Sequence, residues 1–302
     1  MKISVIIPNH KAQATLPRLL QSLEIAARGL DVERLIIDDD EGRGASWARN
    51  QGLNKATGDV IFFADADDTV EPNFFSHPLK ELERSAADFC FFQYASAPLK
   101  GDYDLTGNEA IRAELLPRFV GYSFEDVRRW NQRGELFQNR EPGSVCRVAF
   151  RRAFIEQHQI RFNEELRIYE DAAFLCECIL CAQRVTSVRE NLYNYIPGPT
   201  GTTRCVTNTR KNWDYKFAIL RERERLEEKY QGVWTQCEAS AVFSLLEMIR
   251  MRRTAGISWG EFWREMKRYK ANARVGKALK EFPLSIHHPL TAAAVFAVRH
   301  FL

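Results

Sequence analysis

The chain has 302 residues, of which 45% are hydrophobic, 12% aromatic and 27% charged. That balance supports a buried core and excludes a disordered chain, a collagen-like chain and a disulfide mini-protein. The net charge of +3 hides an asymmetry, because residues 1–203 hold 24 Lys and Arg against 30 Asp and Glu, whereas residues 204–280 hold 18 against 9. An acidic region suits a divalent cation, and a basic one suits phosphate or an anionic membrane surface.

Residues 4–7 form a short β-branched run closed by Pro8, which predicts a buried strand. The apolar stretch is too short for a signal peptide and no small-residue cleavage site follows, so a cytoplasmic protein is expected. Leu16, Leu19, Leu20 and Leu23 recur at helical spacing within 15–28. A second strand is predicted at 34–38, a helix at 44–56, a third strand at 60–64, a helix at 72–86 and a strand at 88–94. Strands alternating with helices predict an α/β domain with a largely parallel sheet. Residues 96–145 are rich in Gly and Pro, with helices expected at 108–119 and 123–133. Helices are predicted at 146–157 and 170–182, and one or two strands at 184–195. Cys176, Cys178 and Cys181 fall in the second of these helices. Positions i and i+2 of a helix point roughly 200° apart, so buried core thiols are expected rather than a metal site. The Gly- and Pro-rich loop 196–203 marks the expected boundary between a domain 1–203 and a basic helical region 204–302.

The most informative segment is the end of the third strand, Asp65-Ala66-Asp67-Asp68-Thr69. Open α/β sheets bind ligands at the carboxyl ends of their strands. Three carboxylates in four residues repel one another, and a hard cation, Mn²⁺ or Mg²⁺, relieves that repulsion through oxygen ligands. The plain alternative is a solvated acidic turn. Two enzyme classes use such a strand end: metal-dependent nucleotide-sugar glycosyltransferases, and aspartyl-phosphate phosphatases with an Asp-x-Asp-x-Thr nucleophile segment. The phosphatase pattern sits near the N-terminus and needs a later Gly-Asp-x-x-x-Asp-like loop, which the residues after Asp68 do not supply.

The surrounding motifs favour the first class. Ile3-Ser-Val-Ile-Ile-Pro8-Asn-His10 opens the chain, Ile36-Ile-Asp38-Asp39 ends the second strand, and Ala48-Arg49-Asn50-Gln-Gly52 precedes Ala56-Thr-Gly58-Asp and the acidic cluster. In this order they resemble the family 2 glycosyltransferases of bacterial polysaccharide and glycoconjugate synthesis. The resemblance resumes at Phe150-Arg-Arg-Ala-Phe, Ile160-Arg-Phe-Asn-Glu and Tyr169-Glu170-Asp171. It implies a GT-A-type mixed sheet with flanking helices over 1–203. It also implies an inverting transfer of a sugar from a nucleotide-diphosphate donor, expected to be a UDP-sugar, to a glycan or lipid-linked glycan acceptor. A non-catalytic glycan- or nucleotide-binding module on the same fold is the competing class.

The resemblance carries roles to named residues. Pro8 and His10 are expected at the base, His10 where the family stacks a Tyr, and Asp39 as acceptor of the N–H of the base. Arg49 is expected at the diphosphate or its carboxylates, Asp65 near the ribose or sugar hydroxyls, and Asp67 and Asp68 at the metal. Asp171 matches the family's general base. Read without the family, Glu170 and Asp171 are a helix-capping pair. The family normally places an extra strand between Asp-Asp and Ala-Arg-Asn. Either that strand is deleted here, or residues 35–38 are that strand and the base-binding Asp is missing. Thr202 and Thr203 follow a loop that could close over the diphosphate.

The rear of the chain places Arg250, Arg252, Arg253, Arg264, Lys267, Arg268 and Lys270 beside Trp259, Phe262 and Trp263. Helices are expected near 208–230, 233–253 and 258–281, followed by an apolar stretch too short to span a bilayer. Peripheral contact with the inner face of the cell membrane or self-association would use this stretch. Charge alone carries no nucleic-acid motif, and no nucleic-acid partner is expected.

Overall fold

A computed structural model describes residues 1–94, 96–133, 140–197, 210–252, 256–285 and 287–301. They fall into two units, residues 1–119 with 141–199, and residues 120–140 with 200–302. The boundary expected near 203, and the loop bearing Thr202 and Thr203, lie outside the described residues.

The first unit opens β1 (Ile3–Asn9), α1 (Leu16–Ala26), β2 (Val32–Asp38), α2 (Ala45–Lys55) and β3 (Val60–Phe63). It continues with β4 (Thr69–Val70), α3 (Ser76–Ser85), β5 (Phe89–Tyr94), β6 (Asp104–Thr106) and α4 (Asn108–Phe119). Helix α5 (Phe124–Arg133) belongs to the second unit. The first then resumes with β7 (Val148–Arg151), α6 (Arg152–Gln157), α7 (Glu170–Cys181) and β8 (Arg184–Asn194). The strands form one sheet in the order β2-β1-β3-β7-β5-β8-β4, with β6 added on β8. β1 pairs in parallel with β2 and β3, and β5 with β8. β7 lies antiparallel between β3 and β5. The sheet is therefore mixed, as a GT-A-type fold requires.

Burial explains why the central strands read as continuous apolar runs. Ile3, Val5, Ile6 and Ile7 of β1 and Val60, Ile61 and Phe62 of β3 are fully buried, as expected of strands covered on both faces. The same reasoning corrects one assignment. Residues 146–157 are the end of a 3-10 turn, a strand from Val148 and a short helix, not one helix. Val148, Ala149 and Phe150 are fully buried in mid-sheet, and a short apolar run does not distinguish a buried strand from a buried helix. Two short strands, β4 and β6, were not anticipated. β2 pairs directly with β1 at the edge of the sheet and passes into α2 through residues 39–44. Residues 32–38 are thus the second strand itself, and the extra strand is deleted.

Gly52 lets α2 lie close to β1, because a Cβ there would meet Ile6 Cγ2 at 2.3 Å. At the amino ends of the strands, Glu33 accepts from Ser4 Oγ at 2.5 Å, from Thr57 N–H at 2.7 Å and from Thr57 Oγ1 at 2.8 Å. Partial burial raises the Glu33 carboxyl, but these bonds and Lys2 outweigh it and hold it at about 2, below its ordinary 4.5. A depressed carboxyl stabilises the fold fully above about pH 4.5, and that contribution drains away as the pH falls towards 2. Glu33→Gln is therefore expected to cost about 1–3 kcal/mol at neutral pH and much less near pH 2, as read by urea unfolding at both values.

The second unit adds α8 (Arg210–Tyr230), α9 (Glu238–Met251), α10 (Trp259–Lys270), α11 (Ala273–Glu281) and α12 (Pro289–Phe301) to α5. The single helix expected at 258–281 is broken in two by Asn272, whose side-chain oxygen accepts from the N–H groups of Arg274 and Val275 as an N-cap. Leu245, Met248, Met266, Val275 and Val295 are fully buried in this unit. No described helix is long and apolar enough to cross a membrane.

Candidate active site

Three parallel strands end on the same side of the sheet: β1 at Pro8–His10, β2 at Asp38–Asp39 and β3 at Asp65–Asp68. Helix α7 brings Glu170 and Asp171 to the same place. It is seated by Phe174, which stacks on Phe162 with ring centroids 4.1 Å apart and meets Phe63 edge-on.

Arg49 joins these parts. It sits on α2 at 3% exposure; one guanidinium nitrogen reaches Asp171 Oδ1 at 2.6 Å and the other reaches Asp65 Oδ1 at 3.0 Å. Glu170 is 3.7 Å away. Three carboxylates thus surround one buried cation. Burial opposes the charge on Arg49, yet Asp171 and Asp65 hold its pKa above the ordinary arginine value. Arg49 Nε is buried without a hydrogen-bond partner. Asp171 Oδ2 also accepts from Val145 N–H at 3.2 Å. Burial raises the Asp171 carboxyl; Arg49 opposes the shift, Glu170 and Asp65 reinforce it, and the net direction is upward.

The neighbours of Arg49 account for the rest of its motif. Ala48 is fully buried. Asn50 behaves like a backbone peptide: its side chain accepts from Phe162 N–H and donates to the Phe162 carbonyl, both at 2.9 Å, and donates to Glu164. Ser46 Oγ donates to the Leu166 carbonyl. α2 thereby fixes the 162–166 segment that leads to α7.

The structure gives two of the expected residues different surroundings. Asp39 is 4% exposed, and its two oxygens accept from the N–H groups of Arg43 and Gly44, both at 2.7 Å. It closes the β2–α2 loop. Gly44, which starts α2, has φ +101°, and a Cβ there would collide with Arg167. Asp68 is 1% exposed; Oδ2 accepts from Tyr193 O–H and Oδ1 from Ile196 N–H, each at 2.7 Å. Burial pushes its carboxyl up to about 7. Asp68 thus braces the strand end against Tyr193 and Ile196.

Asp65 and Asp67 remain partly exposed. Burial, followed by the charge of Asp65, raises the Asp67 carboxyl. Repulsion of this kind is what a bound cation relieves. Among the described residues no group of three or more His, Cys, Asp or Glu is arranged to hold a metal. Magnesium-like ions usually take one or two carboxylates and complete their shell with substrate phosphate and water. The pair Asp65 and Asp67 fits that donor set.

His10 is exposed, its Nδ1 2.6 Å from the Asp39 carbonyl, which leaves the ring at the mouth of the β1 and β2 ends. Two participants were not foreseen. Tyr193, at the end of β8, accepts from Asp65 N–H at 3.0 Å and donates to Asp68, locking the acidic strand end in place. Arg18 of α1 donates to the Asp67 carbonyl at 2.5 Å. Neither carries a local sequence signal. Glu141 is buried with Arg147, Tyr103 O–H and Lys100 N–H on its oxygens.

The sequence profile described as Glycosyl transferase family 2 matches residues 35–156. The chain is 25% identical to the succinoglycan biosynthesis protein ExoO of Rhizobium meliloti (strain 1021), over 60% of this chain and 57% of that protein. It is also 25% identical to the uncharacterized glycosyltransferase EpsJ of Bacillus subtilis (strain 168), over 76% of this chain and 68% of the relative. The first of these matches thus spans little more than half of the relative's length. Among solved structures, S. aureus TarS 1-349 superposes with a TM-score of 0.56 at 16% identity, covering 99% of this chain and 90% of that one. The same protein in complex with UDP-GlcNAc gives 0.51 at 15% identity, over 99% and 81%. The mixed sheet with flanking helices is a GT-A-type fold. Over residues 35–156 the chain matches glycosyltransferase family 2, and its curated relatives at 25% identity include a protein named as a glycosyltransferase.

Proposed function

We propose that the protein transfers a sugar, with inversion, from a UDP-sugar to a hydroxyl of a glycan or lipid-linked glycan acceptor. The observation that carries this reading is the bridge by which buried Arg49 holds the strand-end Asp65 and the helix-borne Asp171 together. The donor class is supported by the structural similarity to a protein captured with UDP-GlcNAc, and the polysaccharide setting by the name of the succinoglycan relative.

Asp171 takes the proton from the acceptor hydroxyl as that oxygen attacks the anomeric carbon. Arg49 and Val145 N–H fix its carboxylate. Asp65 receives donor hydroxyls, Pro8 and His10 border the base, and Arg49 keeps the carboxylates from repelling one another. Asp67, with Asp65 beside it, would hold Mn²⁺ or Mg²⁺, which supplies Lewis-acid neutralisation of the departing diphosphate. Asp39 and Asp68 shape the loops around these groups.

A panel of UDP-sugars assayed by released UDP, with glycan acceptors, tests the proposal. Turnover of at least one donor is expected, and a panel without turnover or UDP binding overturns it. The pH profile carries a further expectation. Asp171 must be deprotonated to act as base, and its carboxyl is raised. kcat/KM should therefore fall on the acid side at a pH above the ordinary Asp value of about 3.9. An acid limb at or below that value would exclude Asp171 as the base.

A further inference from the structure

Among the described residues nine large hydrophobic side chains are exposed, and five of them fall in the second unit: Trp259, Trp263, Leu284, Leu290 and Phe296. The last two lie on α12. Its inner face buries Val295 and Val298, while Leu290 is 87% and Phe296 51% exposed, with exposed Ala293 and Ala297 between them. Helical spacing places these four on one outward stripe. No Asp or Glu occurs from 282 to 302.

Beside this helix lies an open groove of about 490 Å³. It is lined by Lys270, Asn272, Lys277, Lys280 and Arg299, with Glu281 its single carboxylate. Lys270 Nζ donates to the Val298 and Arg299 carbonyls, and Arg299 donates to the Leu279 and Phe282 carbonyls. These bonds clamp α12 to α10 and α11 and fix two positive charges in the groove. Lys277 and Lys280 are exposed on α11.

We propose that the outer stripe of α12 and the basic groove of α11 form a docking surface for an anionic lipid bilayer. An apolar helix face bordered by cations is what interfacial binding requires: the stripe enters the acyl boundary and the lysines meet the headgroup phosphates. At 13 residues α12 is about 20 Å long, which suits a helix lying in the plane of the interface. Charge disfavours a second copy as the occupant. A two-fold contact apposes the same patch from both chains, which would bring the lysine-rich rims together.

The full chain is tested by co-sedimentation with vesicles of phosphatidylcholine alone and of phosphatidylcholine mixed with phosphatidylglycerol. Binding to the mixed vesicles, weakened by salt, is expected. Leu290→Glu with Phe296→Glu should lower the partition coefficient at least about tenfold. Lys277→Glu with Lys280→Glu should remove the preference for the mixed vesicles, at roughly fivefold or more per cation. All four positions are exposed, and circular dichroism and melting temperature verify that the variants fold. No binding to either vesicle, or binding indifferent to both pairs of changes, overturns the proposal. So does a wild-type oligomer in solution that Leu290→Glu with Phe296→Glu dissociates, which would assign the face to a second copy. Turnover on a water-soluble acceptor reports the transfer reaction separately.

Discussion

Asp171→Asn is expected to lower kcat by ~10²–10⁴ while donor affinity and melting temperature barely move. The amide keeps the size of the side chain and an oxygen for Val145 N–H, but it cannot take a proton near neutrality. Arg49 retains Asp65 at 3.0 Å and Glu170 at 3.7 Å, so the buried guanidinium is not left alone. Glu170→Gln is the matched control, because it removes a charge from the same cluster without touching the assigned base. Should Asp171→Asn retain near-normal kcat while Glu170→Gln loses it, the two roles are reversed. The measurement needs the sugar acceptor, since hydrolysis of the donor by water need not use the same base.

Asp67→Ala is expected to lower turnover by ~10²-fold or more, corresponding to several kcal/mol of stabilisation of the leaving diphosphate. The metal-dependent part of UDP affinity, measured by calorimetry with and without Mn²⁺, should vanish with it. Asp68→Asn, which leaves an oxygen for only one of the Tyr193 O–H and Ile196 N–H donors, should instead act mainly on stability. Undiminished turnover of the wild type in excess EDTA would remove the metal from the mechanism. An unchanged Asp67→Ala enzyme beside an inactive Asp68→Asn enzyme would transfer the ligand role to Asp68.

The parts of the fold that were legible in the sequence share one property: their signal is local. β1 follows from a β-branched run closed by Pro8, α1 from leucines at helical spacing, and the acidic strand end announces itself as an improbable cluster. β7 was misread because Val148-Ala149-Phe150 is too short and too uniformly apolar to show a period. Of the site residues named through the resemblance, the structure brings Arg49, Asp65 and Asp171 into contact. The site was not legible where a role depends on a distant partner. The hydrogen bonds of Asp39 and Asp68 to the backbone N–H groups of Arg43, Gly44 and Ile196 carry no local signal. Tyr193 is 128 residues from the N–H it receives, and no spacing rule could have paired it with Asp65.

The division of the chain also bears on how the protein is made. The first unit is interrupted, because residues 120–140 belong with residues that leave the ribosome only after 199. While residues 141–199 are being synthesised, Phe124 and Val127, buried in the finished protein, have no second unit to cover them. For that interval they stand exposed on a nascent chain whose sheet is still acquiring β7 and β8, and such surfaces recruit chaperones or aggregate. A stop codon placed after 199 would make that interval permanent. The two units therefore do not separate at a single cut, and an isolated sheet unit would need residues 120–140 replaced by a short polar linker to remain in solution.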